Sequence, residues 1–140
     1  MALAWPQNFR ASEAHLLGVH AAAQLAASQQ PPKLEEYERL LGEHVATWPQ
    51  SPTASQAWWW LGRFKEHEQA LREAIAALRN VKADHAQYAA AVEATGRCYL
   101  ALLAEIRRTG APEVPLANDA FAYFEQVRSE ERRVGKECRL

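Results

Sequence analysis

Apolar residues recur along this chain with the spacing of an α-helix, and that spacing constrains the fold more than any other feature. In residues 33–48, Leu34, Tyr37, Leu41 and Val45 follow one another at intervals of three or four, which places them on one stripe of a helix. No segment alternates between apolar and polar residues for long enough to favour a β-strand. The sequence therefore predicts an all-α protein.

Six helical segments are separated by short stretches that contain proline, glycine or polar turn residues. Pro31, Pro32 and Pro52 remove backbone donors and end the helices that precede them. Gly110 follows two arginines, a common arrangement at the end of a helix. Because the connections are short, we expect consecutive helices to form antiparallel hairpins. The expected helices lie at about 9–29, 33–48, 53–66, 68–81, 84–108 and 115–127.

Two short motifs predict how the third and fifth helices begin. Thr53-Ala-Ser-Gln56 and Asp84-His-Ala-Gln87 each place a hydroxyl or carboxylate three positions before a glutamine. This spacing matches a capping box, in which the first side chain accepts a hydrogen bond from a backbone N–H of the helix. We therefore expect Thr53 and Asp84 to cap these two helices.

The middle of the chain carries a motif known from one family of helical repeats. Trp58-x-x-Leu61-Gly62 is followed by Ala74, and Gly96 lies 34 residues after Gly62. This arrangement resembles the tetratricopeptide repeat (TPR) family, whose units are 34 residues long. The resemblance implies a short α-solenoid of stacked helix hairpins, in which each apolar face is covered by the neighbouring hairpin.

The resemblance extends over about 10–127 but is close only over 52–99. Gly18, the matching glycine of the first unit, precedes Gly62 by 44 residues, so that unit is longer than the family standard. In the regular part, the resemblance implies that Gly62 and Ala74 are small because two helices approach closely there. It places Trp58 in the core.

Residues 128–139 differ from the rest of the chain. The run from Arg128 to Arg139 resembles the translation of a common sequencing adapter, and most of its residues are charged. Such segments are set aside before the fold is considered. We therefore expect one TPR-like domain at 1–127, itself a fragment of a longer protein, and a non-native, disordered tail at 128–140.

The sequence contains no pattern that indicates catalysis, a cofactor or a metal. The five histidines lack the paired spacing of a zinc-binding helix. A nucleophile elbow and a glycine-rich phosphate loop are both missing. The two cysteines, Cys98 and Cys138, are too far apart to suggest a ligand pair, and we expect Cys98 to be a small buried residue. We expect a protein that is not an enzyme and that uses no cofactor.

Charge and hydropathy exclude two further classes of partner. The chain has 16 basic and 17 acidic residues, and it lacks the basic stripe that nucleic-acid binding requires. Its longest nearly uncharged stretch, 20–32, is too short and too polar to span a bilayer. The first ten residues lack the apolar run of a secretory signal. We expect a cytoplasmic protein that binds a protein or peptide, without nucleic-acid binding or membrane insertion.

The resemblance also implies where a partner would bind, because the first helix of each TPR hairpin lines a concave groove. Counting from the three glycines, the groove positions are Ser12, His15 and Val19; Gln56, Trp59 and Arg63; and Ala90, Glu93 and Arg97. The partner-binding residues that the resemblance implies are His15, Gln56, Trp59, Arg63, Glu93 and Arg97.

Two arginines of this groove have the same position in successive units. Arg63 and Arg97 each follow their glycine directly, so they should lie side by side. Two guanidinium groups beside a tryptophan could bind a carboxylate or an acidic peptide. The alternative is that they form salt bridges with Glu66 or Glu93.

Trp58, Trp59 and Trp60 are consecutive and must point in different directions, since successive helical residues are rotated by about 100°. Trp59 and Trp60 either pack between adjacent hairpins, or Trp59 serves as a recognition anchor, a role common for aromatic residues at interfaces.

Together these features predict a non-catalytic scaffold that presents a groove to a protein or peptide. The alternative is a structural spacer within a longer helical-repeat protein of the bacterial envelope or assembly type, without its own ligand. Because the sequence shows no polar capping helix after Val127, self-association through the ends of the array is also possible.

Overall fold

The computed structural model describes residues 2–138, and over this range it confirms the all-α prediction. Each α-helix packs against the next one along the chain, and α3 also contacts α5. The elements are a short 3-10 helix at Ala2–Ala4 followed by α1 (Ala11–Ser28), α2 (Glu35–Thr47), α3 (Ala54–His67), α4 (Leu71–Leu78), α5 (Tyr88–Thr109) and α6 (Val114–Glu137).

The end of α5 follows the glycine signal in the sequence. Gly110 has φ of 74°, a left-handed conformation that glycine adopts without strain. The N–H of Ala111 donates to the carbonyl of Ile106 at 3.2 Å, as in a Schellman motif. The prediction that a helix stops at this glycine is confirmed.

Both capping-box predictions are wrong. Thr53 makes no side-chain bond to the start of α3. Its Oγ1 lies instead 2.9 Å from His44 Nε2 and 2.8 Å from Ser51 Oγ. Asp84 lies in a series of turns before α5, which begins only at Tyr88. The Thr53 hydroxyl is engaged with Ser51, two residues earlier, and with His44 near the end of α2, and the capping-box pattern specifies neither contact.

The predicted fourth helix is longer than α4. Gln69 has φ of 60°, which interrupts the helical backbone between α3 and α4. After α4, the N–H of Lys82 donates to Ser55 Oγ at 3.1 Å, so the chain leaves the helix to contact α3. The observed α4 therefore spans only Leu71–Leu78.

The C-terminal segment also differs from the prediction, because α6 continues through Glu137 instead of ending near Val127. Arginine, glutamate and lysine are good helix formers, and Arg128 pairs with Glu125 one turn earlier at 2.6 Å. Disorder was therefore the wrong expectation for 128–137. The side chains of 131–138 are all exposed, and residues 139 and 140 lie outside the described range.

The helices enclose two apolar cores. Trp58 packs against both, Trp59 packs against the carboxyl-terminal core, and Trp60 packs against the amino-terminal core. Both Trp59 and Trp60 pack between helices but are only half-buried, so a recognition role for Trp59 stays a prediction. The amino-terminal core is built on Val19, Leu41, Val45 and Ala57; the carboxyl-terminal core includes Ala74, Ile75, Leu78, Tyr99, Leu102 and Tyr123.

The sequence predicts that two helices approach closely at Gly62. A Cβ atom at this position would lie 2.5 Å from Leu78 Cγ, so the expectation that Gly62 must be small is confirmed. The nearest atoms belong to Leu78, and Ala74 is fully buried nearby in the core. At Gly96 a Cβ would meet Phe124 Cζ at an ordinary 3.5 Å, whereas at Gly18 it would meet nothing within 4 Å. The first unit therefore lacks the glycine contact on which its alignment was based.

Candidate functional site

The candidate site is the surface formed by α3 and α5, which lie next to each other. Its central group is the carboxylate of Glu66, which forms an ion pair with Arg63 and lies 3.2 Å from Arg97 Nε. Arg97 also approaches Glu93, with Nη1 and Oε1 3.4 Å apart. The guanidinium carbon of Arg63 lies 5.6 Å from the centre of the Trp59 ring, within cation–π range. We call Trp59, Arg63, Glu66, Glu93 and Arg97 the α3–α5 face.

The local sequence explains this arrangement. Residues three or four positions apart lie on the same side of a helix, which aligns Trp59 with Arg63 and Glu93 with Arg97. The equal offsets of the two arginines from Gly62 and Gly96 predict that they are neighbours, and in the structure both bind Glu66. Salt bridges to Glu66 and Glu93, the alternative to a free carboxylate site, are present.

These ion pairs limit what the α3–α5 face can bind. Two positive and two negative side chains leave it without net charge, so it is not a preformed site for a free anion. Arg63 and Arg97 are nevertheless about half exposed. A guanidinium has five N–H donors, so donors remain available on both side chains.

An exposed leucine extends the α3–α5 face along α5. Leu100 follows Arg97 by three residues and is 70% exposed, so it lies on the same side of the helix. Gln56 is half-buried one turn before Trp59 on α3. The next residue after Arg97, Cys98, is buried as expected, and burial raises the pKa of its thiol.

The prediction for the first groove segment is wrong. His15 and Ser12 are each 8% exposed and Val19 is fully buried, so none of them lines an open surface. His15 contacts His44 of α2, Ser12 accepts a hydrogen bond from Ser51, and Val19 lies in the amino-terminal core. The error follows from Gly18, which faces open space and so does not mark the contact from which the groove positions were counted.

A cleft between α4 and α6 was not predicted. It encloses about 860 Å³. Arg79 Nη1 donates to Asp119 Oδ1 at 2.9 Å and to Tyr99 Oη at 3.1 Å, and Tyr99 Oη donates to Asp119 Oδ2 at 2.6 Å. Arg79 and Asp119 are 40 residues apart, and no local pattern connects them.

Arg79 and Asp119 of this cleft and the neighbouring Tyr99 bind one another. Burial, helped by the bond to Asp119, raises the pKa of Tyr99 to about 12. Hydrogen bonds from Tyr99 and Arg79 lower the pKa of the Asp119 carboxyl. The Arg79 guanidinium also lies 5.2 Å from the centre of the Tyr123 ring. These contacts join α4, α5 and α6, and the cleft is best described as a structural contact.

Among residues 2–138, no group of three or more histidine, cysteine, aspartate or glutamate side chains is arranged to hold a metal ion. None of the helices described there is both long enough and apolar enough to cross a membrane.

Comparison with known proteins identified no relative of this chain. The chain gives no significant match to a protein-family model, a curated protein or a solved structure.

Proposed function

We propose that this chain is a TPR-like protein-binding module whose α3–α5 face holds a short segment of a protein partner. The observation that carries the proposal is the cluster of Trp59, Arg63 and Arg97 around Glu66, with Leu100 exposed beside it. It combines aromatic, aliphatic and charged side chains on one surface, the composition that protein interfaces favour.

The TPR likeness supports this location. The close approach of two helices at Gly62 agrees with what the resemblance implies, although the nearest atoms belong to Leu78 instead of Ala74. Gly96 follows Gly62 by the 34 residues of one repeat. The packing of α3 beside α5 places the first helices of two successive hairpins together, as a stacked array requires.

The chemistry of the face favours a segment with an apolar side chain next to an acidic one. Trp59 and Leu100 offer apolar contact area, while the exposed donors of Arg63 and Arg97 are suited to a carboxylate. Because Glu66 already shares both arginines, an incoming carboxylate would bind their remaining donors or displace Glu66 from one of them. Affinity should therefore depend on salt concentration.

Site-specific photo-crosslinking tests the location. A photoreactive amino acid at Leu100 should crosslink one defined segment of a partner protein, which mass spectrometry then identifies. The matched control places the same amino acid at Leu25, an exposed leucine of α1. Equal labelling from both positions would contradict the proposal.

Charge reversal then tests the chemistry with the crosslinked segment as a synthetic peptide. The double variant Arg63→Glu, Arg97→Glu should bind it at least about tenfold more weakly, equivalent to about 1.4 kcal/mol. A control variant, Arg72→Glu with Arg108→Glu, changes net charge equally at exposed positions outside the face. Circular dichroism establishes that helicity is retained, and unchanged peptide affinity would exclude the face as the binding site.

The exposed apolar side chains of α6 support a second candidate function. In this alternative the chain is a spacer in a longer helical array. Val114 and Phe121 are 67% and 68% exposed and lie seven residues apart, hence on one stripe. In an array this stripe would be covered by another helix, or by a second copy of the chain. A mass measurement over a range of concentrations checks for association, which Phe121→Ser should weaken.

A further inference from the structure

A chain of hydrogen bonds between polar side chains lies where α1, α2 and the connection to α3 meet. His15 Nδ1 is 3.2 Å from His44 Nδ1, and His44 Nε2 is 2.9 Å from Thr53 Oγ1. Thr53 Oγ1 is 2.8 Å from Ser51 Oγ, which donates to Ser12 Oγ at 2.9 Å. His44 is fully buried and His15 is nearly so. We call His15 and His44 the histidine pair.

Trp48 connects the histidine pair to the beginning of the chain. Its ring centre lies 5.1 Å from that of His15 and 5.3 Å from that of His44. Its Nε1 donates to the carbonyl of Pro6 at 2.9 Å. A change in the pair would therefore reach α1, the end of α2 and the N-terminal segment together.

One arrangement of protons satisfies every bond in the chain. A bond between two Nδ1 atoms needs one hydrogen, because one ring must donate and the other accept. If His15 donates to His44, then His44 Nε2 donates to Thr53, and the hydroxyls continue in the same direction toward Ser12. His15 Nε2 is then a lone pair, and it is the buried side-chain nitrogen without a hydrogen-bond partner among the described residues.

A first added proton fits this arrangement. At His15 Nε2 it would face Glu43 Oε2, which lies 3.8 Å away, and the Nδ1 bond to His44 would remain. A second proton does not fit. It would have to bind His44 Nδ1, which removes the acceptor and leaves two charged rings in contact at low dielectric.

We propose that the histidine pair is an acid-sensitive latch, which takes one proton while α1 is packed on α2 and releases α1 when it takes a second. Release would expose Trp48 together with the apolar side chains of α1 and α2 that form the amino-terminal core.

The surrounding charges are consistent with a latch of this kind. Glu43 attracts the first proton, although Arg39 lies 3.0 Å from the same carboxylate and weakens that attraction. From the connection to α3, His44 meets the hydroxyl of Thr53. Burial lowers the pKa of His15, and Glu43 opposes this shift. Burial and the neighbouring His15 lower the pKa of His44 to about 4.

The sign of the pH effect follows from these directions. A histidine in an opened, solvated segment has a pKa of about 6.5, above its value in the closed protein. Below pH 6.5 the opened state therefore binds more protons. The stability of the α1–α2 contact is complete above that pH and is lost as the pH falls toward 4. For one ring, the ratio of opened to closed protein rises by up to about tenfold per pH unit.

Amide hydrogen exchange at pH 7, 6 and 5, corrected for intrinsic exchange, tests this proposal on the intact chain. Protection of α1 should fall between pH 6 and 5 by about tenfold, while protection of α5 stays constant. His44→Gln can keep one hydrogen bond on each side without titrating, so it should reduce this pH dependence to the part that His15 contributes. The control His67→Gln, at an exposed position, should retain it.

Equal protection of α1 at pH 7 and 5, or an unaltered pH dependence in His44→Gln, would overturn the latch. If the His44→Gln variant does not fold, an NMR titration of the histidine ring signals in the wild-type protein tests the latch instead. The pair should then titrate in two steps, with the step of His44 below about 6.5. A single step of both rings near 6.5 with α1 still packed would also reject the proposal.

Discussion

Where α3 meets α4, Gly62 lies so close to Leu78 that one added carbon would overlap it. Where α1 meets α2, the central contact is instead a bond between two buried histidine rings. Both are interior contacts between consecutive helices, but the first consists of apolar atoms and the second of titratable ones. The α3–α4 contact also matches the repeat motif in the sequence, whereas the α1–α2 contact does not.

This difference has a physical consequence. Apolar contact depends on shape and on the area removed from water, and it does not change with proton concentration. The histidine contact depends on each ring keeping a particular protonation state. The stability of the α1–α2 contact should therefore depend on pH, whereas the stability of the α3–α4 contact should not. Variants at matched positions in the two contacts test this difference.

The largest effect is expected at Leu78, which is 1% exposed in the carboxyl-terminal core. Leu78→Ala should lower the free energy of unfolding by about 2–5 kcal/mol, because it removes buried methyl groups and leaves a cavity. Urea denaturation with an unchanged m value measures this loss. Leu100→Ala, at an exposed position, should change stability by less than about 0.5 kcal/mol. Similar losses at both sites would mean that Leu78 is not a core residue.

An intermediate effect is expected in the polar contact. Thr53→Val keeps the side-chain shape but removes the hydroxyl that binds His44 and Ser51. Leaving a buried donor unsatisfied costs about 1–3 kcal/mol, so the variant should unfold at lower urea concentration. Thr47→Val is the control, because no side-chain hydrogen bond of Thr47 occurs among residues 2–138. If the two variants were equally stable, the hydrogen-bonded chain would have no role in stability.

The smallest net effect is expected from two alanine substitutions that should act in opposite directions. Gly18→Ala fills open space on α1 and should stabilise the protein by up to about 1 kcal/mol, since alanine favours a helix over glycine. Gly62→Ala gains the same propensity but overlaps Leu78. Overpacking of this kind costs about 1–3 kcal/mol, so the net result should be a loss of about 1 kcal/mol.

Thermal or urea unfolding of both variants measures the contrast. The double variant Gly62→Ala, Leu78→Ala should be less destabilised than the sum of its single changes, since the shorter side chain relieves the overlap. A stabilising Gly62→Ala would contradict the close contact on which the comparison depends.

The helices were predictable because their causes are local. Apolar spacing, prolines and Gly110 predicted a helix that overlaps each of the six α-helices observed in residues 2–138, although several bounds differ. The motif around Gly62 identified a close contact. The equal positions of Arg63 and Arg97 after their glycines predicted that they would be neighbours. These inferences needed only the geometry of a helix and one repeat length.

Most of the errors concern side-chain contacts that the spacing of residues within a helix does not specify. Thr53 fits a capping box locally, but its hydroxyl binds His44 and Ser51 instead. His15 was assigned to the groove from Gly18, and the true packing of α1 turns it toward α2. The pairing of Arg79 with Asp119 joins two helices across 40 residues, and nothing near either residue indicates the other.

Local sequence patterns were enough to show that this chain is helical, where most of its helices lie, and which small residue lets α3 approach α4. Each of these depends on residues within one or two turns of each other, or on a repeated spacing. The packed structure was needed to establish which way α1 is rotated, and therefore that His15 and His44 meet in the interior. The rotation of a helix about its axis is set by all the side chains that pack around it, and these come from distant parts of the chain.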